Sequence, residues 1–159
     1  QGDSAIIDHL RGMGAFITVE DDKVVAMPSH LFGAELDCMD TPDLVPILSV
    51  AAAVAQGTTT FTNVGRLRFK ESDRLAAMKS VLESFGITSS VGDDTFTVYG
   101  GKPVAAHHVD SFGDHRIAMS AAVLSTVAEG VATIIGAECV AKSYPSFFED
   151  FASLGGIVE

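Results

Sequence analysis

The chain repeats itself about every 72 residues, and a repeat constrains a fold more than any single segment does. Met13-Gly14-Ala15-Phe16-Ile17-Thr18-Val19-Glu20-Asp21-Asp22 aligns with Phe85-Gly86-Ile87-Thr88-Ser89-Ser90-Val91-Gly92-Asp93-Asp94, so Gly14 falls on Gly86 with an offset of 72. Gly155-Gly156-Ile157-Val158 reads as the opening of a third copy. Between these lie two more matching stretches. Residues 44–55, then Gly57 and a Thr-rich run, match residues 116–128, then Gly130 and residues 131–135.

Each unit reads as strand, buried helix, strand, amphipathic helix and hairpin, which predicts a mixed α/β fold. Residues 44–55 and 117–128 are apolar almost all round, as buried helices are. Residues 71–85 differ: Leu75, Met78, Val81, Leu82 and Phe85 share one face, with Lys79 and Glu83 on another. Gly57, Gly86 and Gly130 stand where helix C-caps are expected. Asp21-Asp22 and Asp93-Asp94 lie between short alternating runs, as hairpin turns do. The chain opens inside one unit, with a helix predicted over 4–12, and stops at the first strand of another. That is the layout expected of a piece of a longer repeat protein. A single domain over 1–159, about two repeat units, is the expectation.

Composition narrows the function classes. With 47% apolar and 19% charged residues, 159 residues can build one real core. No apolar run reaches the roughly 18 residues of a membrane span, since 44–55 is broken by Pro46 and Ser49. Cys38 and Cys139 are too few for a disulfide framework and read as reduced thiols of a cytoplasmic protein. A net charge of −11 argues against nucleic acid as a partner. Yet four of the ten basic residues fall within 66–74, and a basic cluster in an acidic chain suggests a small anionic ligand.

Four segments carry candidate chemistry. In Arg66-Leu67-Arg68-Phe69-Lys70-Glu71-Ser72-Asp73-Arg74, Lys70 and Arg74 stand i and i+4 at a predicted helix start. With the helix dipole they can hold a phosphate or carboxylate, and Glu71 among them can move a proton. A solvated first turn accounts for the same residues. In Asp110-Ser111-Phe112-Gly113-Asp114-His115-Arg116, Asp114 caps a helix that is otherwise apolar, so His115 and Arg116 suggest a polar cleft. A structural histidine is the alternative. Lys142 precedes a helix whose early turn holds Pro145, either as an anion ligand or as an ordinary surface lysine. Thr41-Pro42-Asp43 opens the first buried helix, with Thr41 as N-cap. Asp43 there serves the helix dipole or accepts from a substrate hydroxyl. Asp43 and Arg116 hold equivalent places, 14 residues before Gly57 and Gly130. All four segments sit at helix N-termini, and parallel helices would gather them on one face.

Three of these stretches bring a family into view. Arg68-Phe69-Lys70-Glu71-Ser72-Asp73-Arg74-Leu75, Gly113-Asp114-His115-Arg116-Ile117-Ala118-Met119 and Ala141-Lys142-Ser143-Tyr144-Pro145-Ser146-Phe147-Phe148-Glu149 closely resemble three motifs of the EPSP synthases, in the family's order and at similar spacing. The resemblance covers essentially the whole chain. It implies the inside-out α/β fold of the enolpyruvyl transferases, with repeated βαβαββ units, buried parallel helices and outer sheets. The chain would be part of the C-terminal domain, with the active site facing a missing N-terminal domain of the same enzyme. The implied reaction joins phosphoenolpyruvate to the 5-hydroxyl of shikimate-3-phosphate. By resemblance, Arg74, Arg116 and Lys142 bind phosphoenolpyruvate, while Lys70 and Asp43 contact shikimate-3-phosphate. Asp43 is the implied base, Glu71 handles the methylene proton and His115 supports it. Arg66 stands where some members have Asn touching shikimate-3-phosphate, and is a weaker candidate. No metal or organic cofactor is implied. The sister enzyme acting on UDP-N-acetylglucosamine and a non-catalytic anion-binding domain are the alternatives. By itself the chain is expected to be inactive.

Overall fold

The repeat is visible as three helix ends of one design. In a computed structural model, which describes residues 2–106 and 108–159, helices α1 (Ile6–Gly12), α3 (Arg74–Ser84) and α5 (Phe147–Ser153) each run into a glycine. Gly14, Gly86 and Gly155 have φ of +94°, +74° and +102°. That left-handed turn lets the next amide reach back into the helix: Ala15 N donates to Leu10 O at 2.9 Å, Ile87 N to Leu82 O at 2.8 Å and Gly156 N to Phe151 O at 3.0 Å.

The other helices form the interior. α2 (Val45–Val54) and α4 (His115–Ser125) pack on each other and bury residues on nearly every face, including Leu48, Ala52, Ile117 and Ala121. α3 keeps its amphipathic reading, with Leu75, Met78, Val81 and Leu82 buried and Lys79 and Glu83 paired at 3.5 Å on the surface.

The strands lie in three sheets. The hairpin of β1 (Phe16–Glu20) and β2 (Lys23–Met27) is antiparallel, turning at Asp21-Asp22. β3 (Glu35–Asp37), β4 (Thr58–Thr62), β5 (Ser89–Val91) and β6 (Thr95–Tyr99) make a four-stranded sheet in the order β3-β4-β6-β5, with β3 and β4 parallel. Phe61 and Phe96 face each other across β4 and β6, and their rings stack at 6.2 Å in the core. β7 (Val109–Asp110) and β8 (Ile134–Ile135) form a parallel pair equivalent to β3 and β4. Among the described residues no helix is long and apolar enough to cross a membrane.

Several local expectations change. α3 begins at Arg74, not at residue 71, because Asp73 caps it by accepting from Ala76 N at 3.1 Å. Residues Gly65–Phe69 form a separate 3-10 turn and Lys70 is extended, so Lys70 and Arg74 are not one helix turn apart. Thr41 does not cap: the Pro42–Leu44 3-10 turn comes between it and α2, and its hydroxyl lies 3.1 Å from His9 Nε2. Gly57 and Gly130 lie beyond the helix ends, at φ of +98° and +107°, where the chain turns toward β4 and β8. Cys38 is buried, Cys139 is partly exposed, and both are free thiols.

One backbone contact ties the four-stranded sheet to the interior helix. Gly101 N donates to Ala53 O at 2.9 Å, and a Cβ on Gly100 would stand 1.8 Å from Ala55 O. Gly100→Ala is therefore expected to lower stability by more than about 2 kcal/mol, since backbone must move. Gly12→Ala, with nothing within 4 Å of the new carbon, is expected to leave stability unchanged or raise it by up to about 1 kcal/mol. Denaturant unfolding of the two variants checks both.

Candidate active site

Three helix starts meet at one guanidinium. Arg74, the first residue of α3, has a side chain only 4% exposed, and a buried cation is tolerable only when its donors are met. Its Nε donates to Asp114 Oδ2 at 2.7 Å and Nη1 to Asp43 Oδ1 at 2.8 Å. Its Nη2 donates to Glu71 Oε2 at 2.7 Å and, more weakly, to Asp114 Oδ1 at 3.3 Å. The three carboxylates come from the turn before α2, the segment before α3 and the cap of α4.

The remaining cations hang on the same carboxylates. Lys70 Nζ lies 3.1 Å from Asp43 Oδ1, and Arg116 Nη2 lies 3.6 Å from Asp43 Oδ2. Arg116 Nη1 also donates to the Asp43 carbonyl at 3.3 Å. Lys142 Nζ donates to Glu71 Oε1 at 2.6 Å. Four cations thus face three carboxylates, which leaves one positive charge in excess before His115 is counted.

Asp114 does two jobs. As the N-cap of α4 it accepts from Arg116 N at 3.0 Å, and as the fully buried partner of Arg74 it also accepts from Ser72 Oγ at 3.1 Å. Burial alone would raise its carboxyl, but Arg74 and the two other donors hold it below the ordinary range. The balance is the same at Asp43, where burial is outweighed by Lys70, Arg116 and Arg74. At Glu71 the hydrogen bond from Lys142 is the largest influence, and the carboxyl is lowered. Arg74 itself, although desolvated, is held more firmly protonated by its three carboxylates.

His115 is nearly buried, and its Nδ1 lies 3.3 Å from Glu71 Oε2. That approach lacks hydrogen-bond geometry, so Nδ1 has no hydrogen-bond partner among the described residues. Glu71, Asp114 and His115 bring potential metal-ligand atoms within 4.8 Å of one another. Their oxygens, however, already accept from Arg74 and Lys142, and a divalent cation would sit against those charges. The donor set suits anions and protons, not a metal.

Of the residues expected at a site, Asp43, Lys70, Glu71, Arg74, His115, Arg116 and Lys142 come together. Arg66 does not: it is exposed on the Gly65–Phe69 turn, and among the described residues no hydrogen bond or ion pair ties it to the cluster. Asp114 and Ser72 belong to the cluster without having been singled out as site residues. Asp114 already had a sufficient local role as a cap, and nothing local marks Ser72.

A sequence model described as EPSP synthase (3-phosphoshikimate 1-carboxyvinyltransferase) matches residues 1–151. The chain belongs to the EPSP synthase family. It is 42% identical over 159 residues to the 3-phosphoshikimate 1-carboxyvinyltransferase of Clostridium kluyveri, covering 100% of this chain and 37% of that protein. The protein of the same name from Methanopyrus kandleri is 44% identical over 154 residues, covering 96% and 36%. The chain therefore spans little more than a third of the length of these relatives. EPSP synthase from Acinetobacter baumannii superposes with a TM-score of 0.86 at 31% identity, over 98% of this chain and 40% of that one. The enolpyruvyl transferase NikO from Streptomyces tendae superposes at 0.82 with 23% identity, over 98% and 36%. The fold is that of the enolpyruvyl transferases, as expected.

The depressed carboxyls set the acid stability of an EPSP synthase fold of this kind. Groups whose folded pKa lies below the unfolded one contribute fully above the unfolded value, and the contribution is lost as pH falls through the folded value. Unfolding free energy is expected to be flat from pH 7 to about 5 and to fall progressively below it. Asp114→Asn is expected to lower the plateau by about 3–5 kcal/mol and make the acid fall shallower. Denaturant titrations at a series of pH values read both effects.

Proposed function

We propose that this chain is the greater part of the C-terminal domain of an enzyme that transfers the enolpyruvyl group from phosphoenolpyruvate to the 5-hydroxyl of shikimate-3-phosphate, releasing phosphate. One observation carries the reading. Asp43, Lys70, Glu71, Arg74, His115, Arg116 and Lys142 lie within one network of contacts at three helix starts, with positive charge in excess.

In this reading Arg116 and Lys142 neutralise the carboxylate and phosphate of phosphoenolpyruvate. Arg74, enclosed by carboxylates, adds its charge and holds Asp43 and Glu71 in place. Lys70 and Asp43 contact shikimate-3-phosphate, with Arg66 a peripheral candidate. Asp43 takes the proton of the attacking hydroxyl as its oxygen bonds to the enol carbon. The methylene carbon gains a proton from Glu71, giving a tetrahedral intermediate. Glu71 then takes a methyl proton back as the C–O bond to phosphate breaks, and the departing phosphate takes up the proton that Asp43 received. His115, beside Glu71, supports this transfer. Geometry of this kind favours general acid–base chemistry with positioned charges.

The substrates need a second wall, and we assign it to the rest of the parent enzyme. Elsewhere, apolar surface is also left open: Leu154 and Ile157 are 88% and 89% exposed and border a cavity of about 920 Å³. That cavity shares no residue with the charged cluster, so it serves packing and not chemistry. A cytoplasmic setting is part of the same proposal.

The purified chain is expected to show no turnover, and adding the remainder of the parent enzyme should restore it. In the restored complex, Glu71→Gln is expected to cut kcat by about 10²-fold or more, as loss of a positioned acid–base group does. A phosphate-release assay reads all three. Turnover by the chain alone, or an unaffected Glu71→Gln complex, would count against the reading.

A further inference from the structure

The proposed chemistry asks Glu71 to give a proton, yet Lys142 favours its ionised form. Its two oxygens are held differently. Oε2 faces inward, 2.7 Å from Arg74 Nη2 and 3.3 Å from His115 Nδ1. Oε1 has one partner, the Lys142 ammonium at 2.6 Å.

The four cations also differ in freedom. The Arg74 side chain is 4% exposed, with donors to three carboxylates. Arg116 and Lys70 are about one-third exposed, and both are tied to Asp43. Lys142 is 58% exposed, and among the described residues its one polar partner is Glu71. It ends the Ala137–Lys142 3-10 turn, and a lysine's flexible stem lets a compact ammonium change partners without moving backbone. An arriving phosphate, with more charge than one carboxylate, competes well for it.

We propose that Lys142 is an exchange cation: it neutralises Glu71 until the phosphate of an enol-phosphate arrives, then moves to that group and leaves Glu71 Oε1 open to take up a proton from water. This rests on the functional reading above and gives that reading a trigger. Without ligand, the Lys142 bond keeps Glu71 deprotonated and neutralises an otherwise free ammonium. With ligand, the same ammonium meets the leaving group. The groups that continue to face Glu71 are Arg74, His115 and Asp114. Arg74 stays on Oε2, so the proton goes to Oε1. The ligand thereby shifts Glu71 toward its acid form when there is something to protonate.

The direction of the shift agrees. The Lys142 hydrogen bond is the largest influence on the Glu71 carboxyl and lowers it, so removing it raises the carboxyl.

The test is NMR of the chain carrying ¹³C-labelled glutamate, with parallel samples labelled in lysine and arginine, and with the Glu71 and Lys142 signals assigned by their loss in Glu71→Gln and Lys142→Met. In Lys142→Met, the Glu71 midpoint is expected to rise by about one pH unit or more. In the unsubstituted chain, saturating phosphoenolpyruvate should raise it in the same direction while the Lys142 ammonium signal shifts. An unmoved midpoint in Lys142→Met overturns the proposal, because the latch is then absent. Binding that shifts Lys142 or Arg116 signals but not Glu71 also overturns it, while leaving the anion-site reading intact. If phosphoenolpyruvate moves none of these signals, the anion-site reading of this chain and the exchange fall together. The Lys142→Met midpoint then still tells whether the resting contact exists. Circular dichroism of Lys142→Met, expected to be unchanged for so exposed a side chain, guards against a folding artefact.

Discussion

The buried guanidinium of Arg74 is the constraint on which the site depends. Removing such a charge from water costs several kcal/mol, which only well-placed partners offset. Asp114, Asp43 and Glu71 supply them from three separate places in the chain. Satisfying one cation therefore fixes the relative positions of three helix starts. Asp114 strengthens this by capping α4 with the same carboxylate that grips Arg74. The position of the catalytic candidates is a consequence of electrostatics that also holds the fold.

The repeat explains how such a cluster can arise from distant residues. Asp43 and Arg116 occupy equivalent places in successive units, and α2 packs against α4, so their starts are neighbours. Identical residues there would have set like charges side by side. The two copies have diverged to opposite sign, and the pair is joined both by charge and by a bond to the Asp43 carbonyl. Symmetry brings the positions together, and divergence makes the juxtaposition favourable.

Much of this was legible along the chain, for identifiable reasons. The apolar interiors of α2 and α4, the amphipathic face of α3 and the Asp-rich hairpin turns follow from local chemistry and periodicity. So does Asp114 as a cap. The start of α3 was misjudged because Asp73, a stronger cap than anything near residue 71, stands inside the charged run. Thr41 failed as a cap because Pro42 opens a 3-10 turn and His9, 32 residues away, lies beside its hydroxyl. The Lys70–Arg74 pair was expected to converge for the wrong reason. Both lie within reach of Asp43 Oδ1, but from an extended segment and a helix start, not from adjacent turns of one helix.

By itself the sequence determined the repeat, the class of its main helices and strands, the family and the roster of charged residues at the helix starts. Those follow from local periodicity and from motifs whose residues lie close together in the chain. Only the tertiary structure decided which charge meets which: that Arg74 is enclosed while Lys142 stays exposed, that Asp114 is a clamp as well as a cap, and that Arg66 stands apart. Ion pairing at short range depends on distances of a few ångströms between groups up to 73 residues apart, and no local pattern encodes those distances.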